Sequence, residues 1–148
     1  MTTPTLPSIA PYLIVDGGAA ALAFYVHAFG AEEDYRLTDP SGRIGHAELK
    51  LGTVLLMLAD EHPELDLLGP KRRGGTSCSL ALTVPDVDTF VARAVAAGAT
   101  LERPIKDEFY GQRVGWLRDP FGHRWSIAGG EPLSGEEIKK RYAQLITP

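Results

Sequence analysis

The sequence predicts an α+β fold built from two similar modules, each running strand, helix and three strands. The first observation is a repeat, because an apolar run, an aspartate, a helical stretch and a Gly-Ala pair occur twice, with Gly30 and Gly98 in matching places. The second is that turn signals divide the chain after each helical stretch into short strands. The third is the composition of 148 residues, 44% hydrophobic and 23% charged, which is typical of a globular domain. We therefore expect one domain in which tandem βαβββ modules form an eight-stranded curved sheet around a cleft, plus a C-terminal helix.

The first predicted module spans residues 8–60. Its apolar run APYLIV predicts a strand, and Asp16 stands where a side chain caps the helix that follows. The helical stretch GGAAALAFYVHAF ends at Gly30, since glycine favours the left-handed residue that closes a helix. Three further strands are predicted, with the sequences EEDYRLT, RIGHAELKL and TVLLMLA.

The second predicted module spans residues 78–130 and follows a linker, 61–77, that is rich in proline, glycine and charge. The run SLALTV predicts its first strand, Asp86 the helix cap and Gly98 the helix end. The strands TLERPI, QRVGWLR and HRWSIA complete the module, and the turn DPFG joins the last two.

The last segment, 131–148, predicts a third helix with the sequence SGEEIKKRYAQLI. Ser134 and Glu137 have the spacing of a capping box. Ile138, Tyr142 and Leu145 recur at helical spacing along one face. We expect this apolar stripe to pack on the sheet or on a second subunit.

Charge and composition exclude several classes of partner. The net charge is −4, so no basic face for nucleic acid is expected. No apolar run approaches the about 20 residues of a membrane span, and the N-terminus has no secretory leader pattern. The single cysteine, Cys78, forms no internal disulfide, which fits a reducing compartment. We expect a cytoplasmic protein that binds neither nucleic acid nor membrane.

His46 and Glu48 are the first candidate site residues. The period of two in a strand places them on one face of RIGHAELKL, opposite Ala47, Leu49 and Leu51. If the apolar face packs on the helices, the other two point into the cleft. They then act as an acid/base pair or bind a polar group of a ligand, or they form a cross-strand polar pair with no further role.

Aromatic residues supply the remaining candidates. Trp116 and Trp125 flank the DPFG turn and are expected nearly opposite each other, either stacking on a flat ligand or packing the sheet. The loop KDEFYGQR has the composition of a lip over a pocket, in which Phe109 and Tyr110 cap an aromatic ligand and Arg113 holds an anionic group. A dimer contact would use the same loop residues.

The repeated unit, the start PYLIVDGGAAALAFYVHAFGA and the ending DEFYGQRVGWLRDPFGHRWSIA resemble the vicinal-oxygen-chelate superfamily, also called the glyoxalase, bleomycin-resistance and dioxygenase fold. The HAEL strand, the DPFGH-W ending and the short last helix look most like its PhnB-like branch. The resemblance covers about residues 8–146 and implies a homodimer.

Metal-using members of this superfamily take ligands from four strand positions, and the resemblance places these at Ala10, Leu56, Ser79 and Ser126. None of the four is a usual metal ligand. We therefore expect no metal and no cofactor. Tyr12, beside the first of these positions, is then expected inside the cavity.

Two functions follow from the resemblance and these residues. The first is a metal-free binding protein that sequesters a small aromatic or amphipathic compound, with Tyr12, Phe109, Tyr110, Trp116 and Trp125 stacking and with His46, Glu48 and Arg113 as polar anchors. The alternative is an enzyme, a lyase, isomerase or dioxygenase, that uses an atypical metal site or His46 and Glu48 as acid and base.

Overall fold

The computed structural model describes residues 3–148. The chain forms two compact units, Met1–Arg73 and Gly74–Pro148. The division falls inside the predicted linker 61–77. All eight predicted strands are present, and the strand, helix, three-strand order of both modules is confirmed.

The first unit contains a four-stranded sheet with the strand order β1-β4-β3-β2. Strand β1 pairs with β4 in parallel, and the other neighbours are antiparallel. A short 3-10 turn, Pro63–Leu65, and the one-turn helix α2, Pro70–Arg73, follow the sheet. The main elements are β1 (Tyr12–Val15), α1 (Gly18–Phe29), β2 (Glu32–Thr38), β3 (Ile44–Leu51) and β4 (Val54–Asp60).

The second unit repeats this arrangement with the strand order β5-β8-β7-β6, in which β5 and β8 are parallel. Helix α4 follows the sheet and ends the chain. The elements are β5 (Ser79–Thr83), α3 (Val87–Ala96), β6 (Thr100–Asp107), β7 (Arg113–Arg118), β8 (Arg124–Gly129) and α4 (Gly135–Ile146).

Each sheet buries one face against its helix and leaves the other face open. In β3, Ala47 and Leu49 are fully buried, while His46 and Glu48, which alternate with them along the strand, are partly exposed. The same alternation occurs in β8, where Trp125 and Ile127 are buried. Burial of one face supplies the apolar core of each unit, and the open face is left for other contacts.

The helix caps agree with the sequence prediction in one unit only. Asp86 caps α3 by accepting a hydrogen bond from the Thr89 N–H at 3.1 Å, as predicted. The prediction for Asp16 is wrong, because Gly17 occupies the N-cap position of α1 with no side-chain cap. The carboxylate of Asp60, at the end of β4, instead accepts from the Gly18 N–H at 2.6 Å.

Helix α4 begins as predicted, since Ser134 Oγ accepts from the Glu137 N–H at 3.2 Å. Its apolar stripe does not pack on the sheet of the same chain, because Tyr142 is 53% exposed and Leu145 63%. Packing of this stripe on a second subunit, the other predicted alternative, stays a prediction. Along residues 3–148, no helix combines the length and the apolar character that crossing a membrane would require.

Candidate functional site

The open face of the first sheet carries a polar pair surrounded by apolar and aromatic side chains. Strand pairing places Glu48 opposite Tyr35 on one side and opposite Met57 on the other, and Met57 is also the partner of Tyr12. Paired residues share a face, so these four side chains form one row across the sheet. We call this surface the first open face; it comprises Tyr12, Ile14, Tyr35, Leu37, His46, Glu48, Leu55 and Met57.

His46 is the centre of a hydrogen-bonded network on the first open face. Its Nδ1 lies 2.7 Å from the Tyr12 hydroxyl, and its Nε2 lies 3.1 Å from Glu48 Oε1. A neutral imidazole has one N–H donor and one acceptor nitrogen. With Glu48 ionised, the consistent arrangement is a chain in which the Tyr12 hydroxyl donates to Nδ1 and Nε2–H donates to the carboxylate.

Two tyrosines flank this imidazole. Tyr12 and Tyr35 have ring centroids 5.3 and 5.9 Å from that of His46. Desolvation, and after it the charge of Glu48, raises the pKa of Tyr12 above its usual value. The phenol therefore remains a hydrogen-bond donor throughout the physiological pH range.

Large apolar side chains remain exposed around the network. Tyr12 is 46% exposed and Leu37 60%, and Tyr35 and Leu55 are also largely accessible. A sheet face that exposes aromatic and aliphatic groups next to a few fixed polar groups has the character of a binding surface. Hydrogen bonds thus bring Tyr12, His46 and Glu48 together on one surface, and their role in ligand binding stays a prediction.

The open face of the second sheet has a different character. Trp116 pairs with Ser126 on one side and with Arg103 on the other, and the Arg103 guanidinium carbon lies 5.1 Å from the Trp116 ring centroid. Arg118 and Arg124 are paired on the adjacent strands β7 and β8. We call this surface the second open face; it comprises Ser79, Ala81, Glu102, Arg103, Trp116, Arg118, Arg124 and Ser126.

The two tryptophans do not lie opposite each other, so that prediction is wrong. Trp116 pairs with Ser126, and Trp125 pairs with Leu117, which places the two rings on opposite faces of the sheet. Trp125 is 3% exposed, and its Nε1–H donates to Asp119 Oδ2 at 2.9 Å. Trp125 therefore packs in the core, which is the sheet-packing alternative given in the sequence analysis. Trp116 is the tryptophan on the open side.

The shift in register comes from the DPFG turn. The Asp119 N–H donates to the His123 carbonyl at 2.8 Å, and Gly122 adopts a positive φ of 92°. The turn therefore leaves five residues between the paired Arg118 and Arg124. The sequence-based pairing assumed that the strands turn symmetrically about the four residues of DPFG. With five loop residues, each residue of β7 pairs one position further along β8 than expected, and this moves Trp125 to the face opposite Trp116.

The loop between β6 and β7 brings its aromatic residues to the last helix. Phe109 contacts Tyr110 edge to face at 5.2 Å and lies 6.0 Å from Tyr142 of α4. Arg113 donates to Asp88 at 2.8 and 2.9 Å and to Asp107 at 3.1 Å. These two carboxylates engage the guanidinium that the sequence had suggested as an anion anchor.

The four positions that the resemblance marks for metal ligands do not fit a metal ion. Ala10 precedes β1 and Leu56 is 1% exposed, so Met57 rather than Leu56 takes the open-face position of β4. Ser79 and Ser126 lie on the second open face. None of these side chains has an imidazole or a carboxylate, and nowhere in residues 3–148 do three or more His, Cys, Asp or Glu side chains form a group that could hold a metal.

Several residues of the open faces were not found from the sequence, notably Tyr35, Glu102 and Arg103. Their strands, β2 and β6, carry irregularities in register, between Glu33 and Tyr35 and on both sides of Arg103. Simple alternation fails across such bulges. Pro104, which cannot donate to a sheet ladder, was the one local sign of the irregularity in β6.

Comparisons with known proteins agree with this architecture. The family model of the Glyoxalase/Bleomycin resistance protein/Dioxygenase superfamily matches residues 5–127. An uncharacterised protein of Mycobacterium bovis is 41% identical over 130 residues, which are 86% of this chain and 84% of that protein.

Solved structures show the same fold. TioX from Micromonospora sp. ML1 is 28% identical with a TM-score of 0.64, and the match covers 86% of this chain and 99% of TioX. A glyoxalase-related enzyme from Fulvimarina pelagi is 25% identical with a TM-score of 0.68, covering 84% of this chain and 89% of that enzyme. With the repeated βαβββ units and a family match over most of its length, the chain belongs to the glyoxalase/bleomycin resistance protein/dioxygenase superfamily.

Proposed function

We propose that the protein binds a small aromatic or amphipathic molecule without a metal ion and that the first open face is part of the site. The observation that carries this proposal is the chain of hydrogen bonds from Tyr12 through His46 to Glu48 on a surface of exposed apolar side chains. Fixed polar groups give orientation, and the apolar area supplies most of the binding free energy. Sequestration of such a compound needs no turnover.

The metal-free part of the proposal rests on the donor set. Ala10, Met57, Ser79 and Ser126 supply no usual ligand, and His46 with Glu48 makes only two. Metal analysis of untagged protein by mass spectrometry, before and after incubation with nickel, iron(II), zinc and manganese, tests this directly. We expect far less than one metal ion per chain, and near-stoichiometric metal would overturn the proposal.

A screen of small aromatic compounds by ligand-observed NMR tests the binding function. Compounds that bind should lose affinity in Tyr12→Phe and His46→Gln, since each variant breaks the network while leaving the sheet core intact. Arg36→Gln is the matched control, because Arg36 lies in the same sheet but pairs with Ala47, a residue on the buried side. If the control loses as much affinity as the two network variants, or if none of the three loses affinity, the site lies elsewhere.

An acid/base enzyme, such as a lyase or isomerase, is the second candidate function. The specific observation in its favour is that both ring nitrogens of His46 are hydrogen bonded, which fixes the imidazole and links a phenol to a carboxylate. If a bound compound is turned over, His46→Ala should abolish turnover and the pH dependence of the rate. Affinity without any detectable product would favour the binding protein.

We also propose that the chain belongs to the PhnB-like branch of its superfamily, acts in the cytoplasm and forms a homodimer. The HAEL strand and the DPFGH-W ending support the branch, and the exposed stripe of Tyr142, Leu145 and Ile146 supports the dimer. Sedimentation velocity tests the dimer. Leu145→Glu should shift the protein to monomer, whereas Lys139→Glu should leave its oligomeric state unchanged.

A further inference from the structure

The second open face concentrates positive charge in a protein that is negatively charged overall. It carries three arginines, Arg103, Arg118 and Arg124, and one carboxylate, Glu102, which pairs with the last two of them. The whole chain has a net charge of −4, so this excess is local and does not follow from composition. A local positive field on an otherwise acidic protein attracts anions.

Glu102 bridges two of these arginines. Its oxygens lie 3.1 Å from Arg118 Nη2 and 3.2 Å from Arg124 Nε. Like charges on directly paired residues repel. The carboxylate of Glu102 offsets the repulsion between Arg118 and Arg124. Desolvation raises the pKa of Glu102 and hydrogen bonds from the two arginines lower it, with a net value below the ordinary one. Glu102, Arg118 and Arg124 together therefore keep one unit of positive charge.

Arg103 is the cation without a carboxylate partner. It is exposed, and among residues 3–148 it forms no ion pair; its described contact is with the face of Trp116. A guanidinium held over an indole keeps its N–H groups available for a planar anion. Carboxylates bind such an edge with two parallel hydrogen bonds.

A cavity beside the Trp116 ring provides room for the rest of such a ligand. Its volume is about 300 Å³, at the lower end of the range for small-molecule sites. Its one acidic group, Glu108, forms an ion pair with the Lys106 ammonium at 3.6 Å. The lining residues are Arg103, Pro104, Lys106, Glu108 and Trp116.

We propose that the second open face selects planar aromatic acids, with the carboxylate on Arg103 and the ring against Trp116 and Pro104. This inference rests on the proposed small-molecule function and assigns it a ligand class. Arg124 and Arg118 add a long-range preference for anions, which salt should weaken. Neutral compounds of the same shape would keep the ring contact and lose the paired hydrogen bonds.

The test compares 2-naphthoate with its neutral amide, 2-naphthamide, by following the two indole N–H signals of the full chain in ¹⁵N NMR spectra. The chain has two tryptophans, so the indole signal that disappears in Trp116→Phe belongs to Trp116 and the remaining one to Trp125. We expect naphthoate to shift the Trp116 signal and to bind about tenfold more tightly than the amide, as charge-assisted paired hydrogen bonds predict. Raising the salt concentration should reduce this preference.

Variants locate the effect. Arg103→Gln should reduce naphthoate affinity about tenfold and leave the amide unchanged, while Arg103→Lys should give an intermediate loss, because lysine keeps the charge without the planar fork. Arg36→Gln is the control and should bind as the wild type does. Equal affinity for acid and amide, no effect of Arg103→Gln, or no shift at Trp116 would each overturn the inference.

Failure of this inference is distinguishable from failure of the proposed function. If naphthoate or any screened compound perturbs only Tyr12 and His46 signals, the aromatic-acid site on the second open face is refuted while binding at the first open face stands. If naphthoate perturbs Trp116 with the expected charge preference and nothing perturbs Tyr12 or His46, the inference is supported and the first open face loses its proposed role.

Discussion

The Tyr12 hydroxyl lies 2.7 Å from His46 Nδ1, although the strands that carry them, β1 and β3, are not neighbours. Strand β4 runs between them, and its Met57 pairs with Tyr12 on one side and with Glu48 on the other. Because both residues lie on the face that helix α1 does not cover, the contact contributes to a surface rather than to the core.

Tyr12→Phe should lower the free energy of unfolding by about 1 kcal/mol or less, since the lost hydrogen bond is partly exposed and the ring is kept. The imidazole should respond more strongly, because Nδ1 loses its donor and the preference for the tautomer with Nε2–H weakens. Urea unfolding measures the first effect and ¹⁵N shifts of the His46 ring measure the second. An unchanged imidazole spectrum would contradict the hydrogen bond.

The raised pKa of Tyr12 predicts a pH dependence at the alkaline end. The folded state holds the phenolic proton more tightly than the unfolded chain, so this contribution to stability is fully present below pH 10.0, the ordinary pKa, and is lost as the pH rises through the higher folded value. The wild type should therefore lose more stability than Tyr12→Phe between pH 10 and the folded pKa. Denaturant unfolding at several alkaline pH values checks this.

Glu48→Gln separates the two causes of that shift. Desolvation is the larger cause and remains in the variant, whereas the charge of Glu48 is removed. The pKa of Tyr12 should fall only part of the way to its ordinary value. Selective ¹³C labelling of tyrosine rings follows this one phenol among the five, and a complete return to the ordinary pKa would show that burial contributes little.

Asp60→Ala should be one of the more destabilising single changes in the first unit. Its carboxylate accepts hydrogen bonds from the N–H groups of Gly17, Gly18 and Ile44 at 3.2, 2.6 and 2.7 Å, so it caps α1 and ties it to β3. We expect a loss of about 2 kcal/mol, at the upper end of cap removals. Asp16→Ala, at the position that the sequence suggested as the cap, should cost much less. Thermal or urea unfolding of both variants decides between them.

The two DP-x-G turns offer a similar comparison. Asp119 is 4% exposed and accepts from the N–H groups of Phe121 and His123 and from Trp125 Nε1. Asp39 makes the same kind of turn in the first unit, bonding the N–H groups of Ser41 and Arg43, but its side chain is 38% exposed. Asp119→Ala should cost about 3 kcal/mol, because it leaves buried donors unpaired, and Asp39→Ala about 1 kcal/mol.

Tryptophan fluorescence during urea unfolding measures both changes. A red shift of the native spectrum is expected in Asp119→Ala only, since the Trp125 indole loses its partner there. Equal costs for the two variants would mean that burial of the turn does not govern its contribution.

The fold and part of the site were predictable because the signals are local. The period of two in a strand placed His46 and Glu48 on one face whichever strands became its neighbours. Asp86 and Ser134 each cap a helix by a hydrogen bond to the N–H group three residues further along the chain. The duplicated order of elements likewise needs only sequence-adjacent signals, and the family resemblance agreed with it over most of the chain.

Tertiary structure decided the rest, because it depends on which strands become neighbours and on single-residue shifts in their register. A bulge in β2 brings Tyr35 to Glu48, the odd loop length of the DPFG turn sends Trp125 to the core and Trp116 to the open face, and Asp60 takes the cap that Asp16 could have filled. One-residue shifts exchange the faces of a strand, and no local pattern records them. Local sequence patterns therefore specify the modules and their buried faces, whereas pairing across the sheets specifies which polar groups meet on the open faces.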